Sequence, residues 1–377
     1  MKRLLTIGHS YVVALNRRLA DEMARQGTGR WDVTVAAPAE YHGDLRRIRL
    51  ETGAGAARDL RPVAAHLTRF PHLMFYGGLR RLLAERWDLI HCWEEPYVTA
   101  CAQVAALAPP DVPLVFATFQ NLAKRYPPPF DWLERRVLRR ADGWIAFGRT
   151  IHETQLARDG YADIPSRLIP PGVDTRAFCP DAAARTRVRG ERGWNDDVAV
   201  VGFLGRFVPE KGLSMLAAAL RRVSCPWRAL FVGGGPGRSA LDALAASYPG
   251  RVSIATGVTH ERVPEYLNAM DVLCAPSQTT PRWREQFGRM LIEAMACGVP
   301  VLASRSGEIP HVVGDAGILL PEDDEGAWAA ALGRVLGDAA ERRSLADRGL
   351  RKARMEFAWP VVARRHLEFF DELVARS

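Results

Sequence analysis

The chain has 377 residues, 48% hydrophobic and 25% charged, with a net charge of +8; that length suits two domains, each able to bury a core of its own. The composition excludes a disordered or fibrous chain, and no apolar run approaches the length of a bilayer span. Six cysteines (92, 101, 179, 225, 274, 297) stand far apart without a C-x-x-C pair, which argues against zinc or a secreted disulfide framework and for buried free thiols in the cytosol.

Met1-Lys2-Arg3-Leu4-Leu5 opens like a signal peptide, but Gly8-His9-Ser10 and Asn16-Arg17-Arg18 interrupt the apolar core, so the segment reads as a first strand. From there short β-branched runs alternate with amphipathic stretches, the pattern of βαβ units and parallel sheets. In the first half strands are predicted at Leu4–Ile7, Val33–Ala36, Leu89–Cys92, Leu114–Thr118, Trp144–Phe147 and Leu168–Ile169. Helices are expected at 12–26, 96–107, 130–140 and 150–159, and 39–62 reads as irregular and basic. Pro170-Pro171-Gly172-Val173-Asp174 and the polar run 179–197 form a turn-rich connection with a hinge at about 172–180. The register restarts with strands at Val198–Leu204, Ala229–Val232, Val252–Ala255, Val272–Ala275, Val299–Ala303 and Ile318–Leu320. Helices near 212–222, 238–247, 261–269, 289–297 and 325–336 lie between them. A last helix near 361–376 places Val362, Leu367, Phe370, Leu373 and Val374 at helical spacing and needs a partner surface. The expected domains are thus 1–175 and 176–360, with 361–377 packing back on the first.

Charge is uneven: residues 1–177 hold 25 Lys and Arg against 19 Asp and Glu. The doublets Arg46-Arg47, Arg80-Arg81, Lys124-Arg125, Arg135-Arg136 and Arg139-Arg140 suit anionic lipid headgroups or an acidic acceptor, or form a solvated basic surface. No nucleic-acid partner is expected.

Two motifs carry the chemistry. In Glu285-Gln286-Phe287-Gly288-Arg289-Met290-Leu291-Ile292-Glu293, two carboxylates stand eight residues apart, one before a helix and one inside it. The helix starts after Gly288, so its unpaired N–H groups and dipole make a seat for phosphate beside Glu285. Gly298 then stops the helix. In Gly205-Arg206-Phe207-Val208-Pro209-Glu210-Lys211-Gly212, a strand, loop and helix put two cations at the carboxyl edge of a parallel sheet, able to clamp a diphosphate. It is neither a Walker loop nor a G-x-G-x-x-G turn.

With Phe231-Val232-Gly233-Gly234-Gly235-Pro236, Ala275-Pro276-Ser277 and Ser306-Gly307-Glu308-Ile309-Pro310, these motifs resemble the retaining glycosyltransferases of family 4, from Gly202 to about Glu322. The resemblance implies an α/β chain of GT-B fold, two facing Rossmann-like domains with an interdomain cleft. It assigns the donor pyrophosphate to Arg206 and Lys211, the ribose hydroxyls to Glu293 and the donor sugar to Glu285. Backbone amides around Phe287, Gly288 and Arg289, with Gly234 and Gly8, are expected to complete the donor site. Arg206, Lys211 and Glu285 are the catalytic candidates. Departure of a nucleoside diphosphate then needs no metal and no cofactor, in keeping with the absence of an Asp-x-Asp pair. Retention implies that the acceptor attacks from the leaving-group face, with phosphate taking its proton.

The acceptor side is less legible. His9 departs from the family's paired glycines and either meets phosphate or acceptor or is a satisfied local histidine. Glu94 and Glu95, in Trp93-Glu94-Glu95-Pro96-Tyr97, either bind acceptor hydroxyls or favour a helix start. Gln120 stands where many relatives carry the histidine of Thr-x-His; it can bond a sugar but cannot titrate. Lys124 and Arg125 suit an acceptor phosphate or a membrane surface, or are an exposed loop. Trp283 either stacks on a sugar or anchors its loop. The expected activity is transfer of a hexose, UDP-linked first and GDP-mannose second, to a glycan or lipid-linked acceptor, in the cytoplasm or at the inner face of the plasma membrane. The rivals are a sugar nucleotide epimerase or phosphorylase of the same fold, and an inactive nucleotide-sugar-binding partner.

Overall fold

The β-branched runs assemble into two parallel sheets, each covered by the helices that connect its strands. The computed structural model describes residues 1–43, 47–52 and 59–376; Arg46 of the first arginine doublet lies outside them. The chain divides into Met1–Gly172 with Trp359–Ser377, and Val173–Ala358. The sequence reading set these divisions at 175/176 and 360/361. Among the described residues no helix is long and apolar enough to cross a membrane.

The first unit contains β1 (Lys2–Ile7), β2 (Trp31–Pro38), β3 (Glu40–His42), β4 (Arg47–Arg49), β5 (Asp59–His66), β6 (Phe75–Gly77), β7 (Leu89–Cys92), β8 (Leu114–Thr118), β9 (Gly143–Ala146) and β10 (Ser166–Leu168). Eight form one sheet in the order β10-β9-β8-β7-β1-β2-β5-β6, and β3 pairs with β4 in a separate hairpin. All neighbours in the sheet are parallel except β5 and β6. The sequence reading missed four of these strands. Segment 39–62 is not irregular where described: it holds β3, β4 and the start of β5. Pro62 and the charged residues of Asp59–His66 hid β5; β6 pairs with it only at Ala64–His66, so the half-exposed stretch around Pro62 has a ladder partner on the β2 side alone, where a proline is tolerated. The expected helix at 12–26 is confined to Arg18–Gln26, preceded by two 3₁₀ turns.

The second unit contains β11 (Val200–Arg206), β12 (Arg228–Gly234), β13 (Val252–Ala255), β14 (Val272–Ala275), β15 (Val301–Ser304) and β16 (Gly317–Leu320), all parallel in the order β13-β12-β11-β14-β15-β16. The polar run 179–197, expected as connection, holds a helix at Ala182–Gly190. Asp181 caps it by accepting from Ala184 N at 2.9 Å, and buried Arg189 reaches Asp271 at 2.6 Å. Its charge made it read as a loop; pairing with a distant aspartate makes it a packed helix. A further helix at Ala339–Lys352, capped by Asp338, was likewise missed.

The final helix, Trp359–Val374, buries Val362, Ala363, His366, Leu367, Phe369, Phe370 and Leu373 within the first unit. Gly143 of β9 leaves room for it: a Cβ there would lie 2.8 Å from Leu373 Cδ1. Asp371 ties the helix down through Lys2 Nζ at 2.7 Å and Trp31 Nε1 at 3.1 Å. The six cysteines are free thiols; Cys179 and Cys225 are half-buried rather than buried as expected.

Candidate active site

In the second unit the carboxyl ends of β11 and β12 are locked together by glycines. Arg206 pairs in register with Gly234. Gly233 has φ +148°, and a Cβ on it would sit 1.8 Å from the Gly205 carbonyl oxygen; Gly235 has φ +145°, and a Cβ there would sit 2.6 Å from Phe207 O. Phe207 N donates to Gly234 O at 2.8 Å and Gly237 N to Phe207 O at 2.7 Å. At Gly234, named as a donor contact, a Cβ would meet open space; the steric demand falls on its two neighbours. Arg206, at the end of β11, is exposed and enters no ion pair with the described residues.

Lys211 follows in a short 3₁₀ turn closed by Gly212, whose φ of +67° lets the backbone pass Pro276 O. Its ammonium pairs with Glu285 Oε2, although the two residues are 74 positions apart. Ser277 Oγ donates to the same carboxylate oxygen at 2.9 Å, and the Trp283 ring lies 5.1 Å below the ammonium. Trp283 thus sits under the cation, a role between stacking on a ligand and anchoring the loop. Glu285 is also pinned by its backbone: Glu308 N donates to its carbonyl at 3.0 Å, and Gly307, with φ +53°, leaves space for it. A half-buried lysine held on a buried carboxylate in this geometry forms a pre-positioned ion pair that an arriving anion can open.

Gly288, at φ +80°, ends the loop, and the helix Arg289–Ala296 starts after it, with Phe287 buried beneath and Arg289 exposed. Glu293 is buried one turn in, and burial raises its pKa while Arg289 opposes the rise. His260 Nε2 lies 3.4 Å and the Arg289 guanidinium 3.9 Å from Glu293 Oε1. His260 was not singled out from sequence, nor was Ser277 as a side-chain partner. Thr259-His260 follows β13 at the same carboxyl edge, which is the only sequence signal for it. Among the described residues no group of three or more His, Cys, Asp or Glu is placed to hold a metal ion.

In the first unit the parallel register brings the ends of β1, β7 and β8 to one edge. Gly8 is held by packing rather than by a special φ: a Cβ would lie 2.9 Å from Trp93 Cβ. His9 N and Nδ1 bond the Glu94 carboxylate at 2.7 and 2.6 Å, and Tyr76 OH donates to it at 2.5 Å. Glu94, 3% exposed with three donors upon it, holds His9 and does not face out to an acceptor. Burial works against the charged imidazole, but the Glu94 charge and hydrogen bond outweigh it and raise the His9 pKa. His9 Nδ1 is thus engaged locally by Glu94.

Glu95 is bonded by Phe119 N at 2.7 Å and Thr118 Oγ1 at 2.8 Å, and burial pushes its pKa up to about 7 against those bonds. Gln120 is buried; its Oε1 accepts from Leu122 N at 3.0 Å and its carbonyl from Gln155 Nε2 at 2.8 Å. Tyr97 and Tyr126 stack at 4.0 Å beside these groups, two aromatics absent from the sequence-derived candidates. Lys124 and Arg125 are exposed in the adjoining loop.

Two family models match this chain: "Glycosyltransferase Family 4" over residues 12–177 and "Glycosyl transferases group 1" over 198–338. A D-inositol 3-phosphate glycosyltransferase of Xylanimonas cellulosilytica is 33% identical over 320 residues, 81% of this chain and 72% of the relative. A GDP-mannose-dependent alpha-(1-6)-phosphatidylinositol monomannoside mannosyltransferase of Mycolicibacterium smegmatis is 37% identical over 202 residues, 51% of this chain and 52% of the relative. Among solved structures, sucrose-phosphate synthase of Thermosynechococcus elongatus has a TM-score of 0.74 at 23% identity, covering 100% of both chains. HepE of Anabaena, in complex with UDP, has a TM-score of 0.75 at 19% identity, covering 99% of this chain and 100% of that one. Likeness at that identity speaks to the fold alone.

Proposed function

We infer that this chain, which belongs to glycosyltransferase family 4 and has the two Rossmann-like domains of the GT-B fold, moves a hexose from a nucleotide diphosphate sugar to a phosphate-bearing or lipid-linked polyol or glycan. The observation that carries the reading is the Lys211–Glu285 ion pair, half-buried on the lysine side and buried on the carboxylate side, beside a helix N-terminus. An arriving diphosphate takes Lys211, with Arg206 as second cation and the amides after Gly288 as further donors. Glu285, released from the ammonium, then accepts from hydroxyls of the donor sugar. Glu293 accepts the ribose hydroxyls.

In the reaction the bond from the anomeric carbon to the phosphate oxygen breaks and a bond to the acceptor oxygen forms. The acceptor oxygen attacks from the face that the diphosphate leaves and passes its proton to an oxygen of that departing group, so configuration is retained. The charge that grows on the leaving group is met by Arg206, Lys211 and the helix N-terminus, without a metal ion. UDP-hexose is the first donor in this reading. GDP-mannose is the second, in line with the name of the Mycolicibacterium relative. The acceptor follows the two relatives' names, which share a phosphorylated inositol; the basic first unit suits that charge.

The test is thermal shift of the full chain, in EDTA, against UDP-, GDP-, ADP- and TDP-sugars, followed by transfer from the stabilising donor to inositol phosphates and phosphatidylinositol lipids. A rise in Tm for one base, lost in Arg206→Ala and Glu293→Ala, supports the donor assignment. No rise with any donor, or turnover of donor to an isomer without acceptor, sinks it.

A further inference from the structure

We propose that the tip of the β5–β6 hairpin, residues 67–74, is an apolar wedge by which the first unit docks on an anionic lipid bilayer. It deepens the lipid-linked form of the acceptor reading above and rests on it. Eight large hydrophobic side chains are exposed among the described residues, and three of them, Leu67 at 53%, Phe70 at 59% and Leu73 at 41%, fall within seven residues. Exposed apolar residues scattered singly need no explanation, whereas a cluster on one protrusion marks an interaction surface.

The tip is built to hold that cluster outward. Phe70 N donates to Leu67 O at 2.8 Å, Leu73 N to Phe70 O at 2.8 Å and Met74 N to Phe70 O at 3.0 Å. Met74 is buried as an anchor, and Thr99 N and Oγ1 both donate to His72 O at 3.0 Å. Leu67 has φ +54°, the one positive value outside glycine among the described residues. A branched apolar residue in that strained conformation, its side chain in water, adds no core contact that would offset the strain.

Charge selects the occupant. No Asp or Glu occurs from Leu60 through Ala84, while Arg69 lies in the tip and Arg80 and Arg81 follow β6, all three exposed and outside any ion pair with the described residues. The His72 ring lies 5.7 Å from both Phe130 and Tyr97, and Tyr97 stacks on Tyr126, so the acid-free loop with exposed Lys124 and Arg125 is tied to the same region. A second copy of this surface would meet like charge. Three apolar side chains on a hairpin tip also fall short of the roughly 1,000 Å² that a specific protein interface needs. They suit insertion to about 5–10 Å in a headgroup layer, with arginines drawn to anionic lipid.

The experiment is cosedimentation of the full chain with large vesicles of phosphatidylcholine alone and with about 30% phosphatidylglycerol, at low salt and at about 0.15 M salt. Binding is expected to the anionic vesicles only, to weaken with salt, and to fall at least about tenfold in Phe70→Ser/Leu73→Ser. The fluorescence of Phe70→Trp is expected to shift to the blue on vesicles and to be quenched by brominated lipid. The donor-induced thermal shift should be unchanged in both variants, which separates loss of docking from misfolding. No binding to anionic vesicles at low salt overturns the proposal, as does binding indifferent to Phe70→Ser/Leu73→Ser. Self-association abolished by that double substitution, without vesicle binding, overturns it in favour of a second copy. If vesicles bind but no donor shifts Tm, the transferase reading fails instead; if donor shifts Tm and vesicles do not bind, docking fails alone.

Discussion

The two sheets present similar carboxyl edges and equip them differently. In the second unit the edge is made by backbone: Gly205, Gly212, Gly233, Gly288 and Gly307 adopt positive φ, and several loops touch where a single Cβ would collide. Charged side chains then meet across it, Lys211 on Glu285 and Arg289 near Glu293. In the first unit the edge is made by buried side-chain hydrogen bonds: Glu94 serves His9 and Tyr76, and Glu95 serves Thr118 and Phe119. A backbone-built edge admits few sequences and shows as a motif. A side-chain-built edge has many solutions and leaves no motif.

The comparison can be broken most sharply at Glu285. Glu285→Ala should lower kcat by about 10²–10³-fold while a donor-induced rise in Tm persists, measured by transfer assay and thermal shift. Equal loss of donor binding would place Glu285 in the ground-state site only. Next in size, Gly307→Ala, which puts a Cβ 2.0 Å from Glu285 O at φ +53°, should destabilise the second unit by about 3 kcal/mol in urea titration. Gly8→Ala, whose Cβ would lie 2.9 Å from Trp93 Cβ and 3.2 Å from the Trp93 carbonyl but at an extended φ without strain, should cost less than that. If the two cost the same, the backbone-versus-side-chain distinction is wrong.

Glu95 supplies a pH test. Its pKa is raised to about 7 from an ordinary 4.5 by burial, so its contribution is fully present below pH 4.5 and is lost as pH rises through 7. Glu95→Gln keeps a neutral group, and its stability relative to the parent should therefore improve by about 2 kcal/mol between pH 5 and pH 8.5, read from paired denaturation curves. A constant difference across that range would mean that the carboxyl is ionised throughout. The smallest effect is expected for Trp283→Leu, which removes the ring under Lys211: about 1 kcal/mol, or a fivefold rise in the KM for donor, with kcat little changed.

Sequence alone determined the alternation of strand and helix, the restart of register near residue 198, and the two glycine-and-charge motifs. Those features are local. A helix starting after Gly288, a carboxylate on either side of that start, and two cations between a strand and a helix all lie within about a dozen residues, where backbone geometry dictates spacing. Only the tertiary structure decided that Lys211 closes on Glu285, 74 positions away, and that Glu94 turns inward to His9, 85 positions away. It also decided that His260 stands beside Glu293, that 182–190 is a helix, and that Trp359–Val374 completes the first unit. The physical reason is common to all of these. A buried charge or an apolar helix face states in sequence that it needs a partner, but which partner it meets depends on chain segments that only the fold brings within reach.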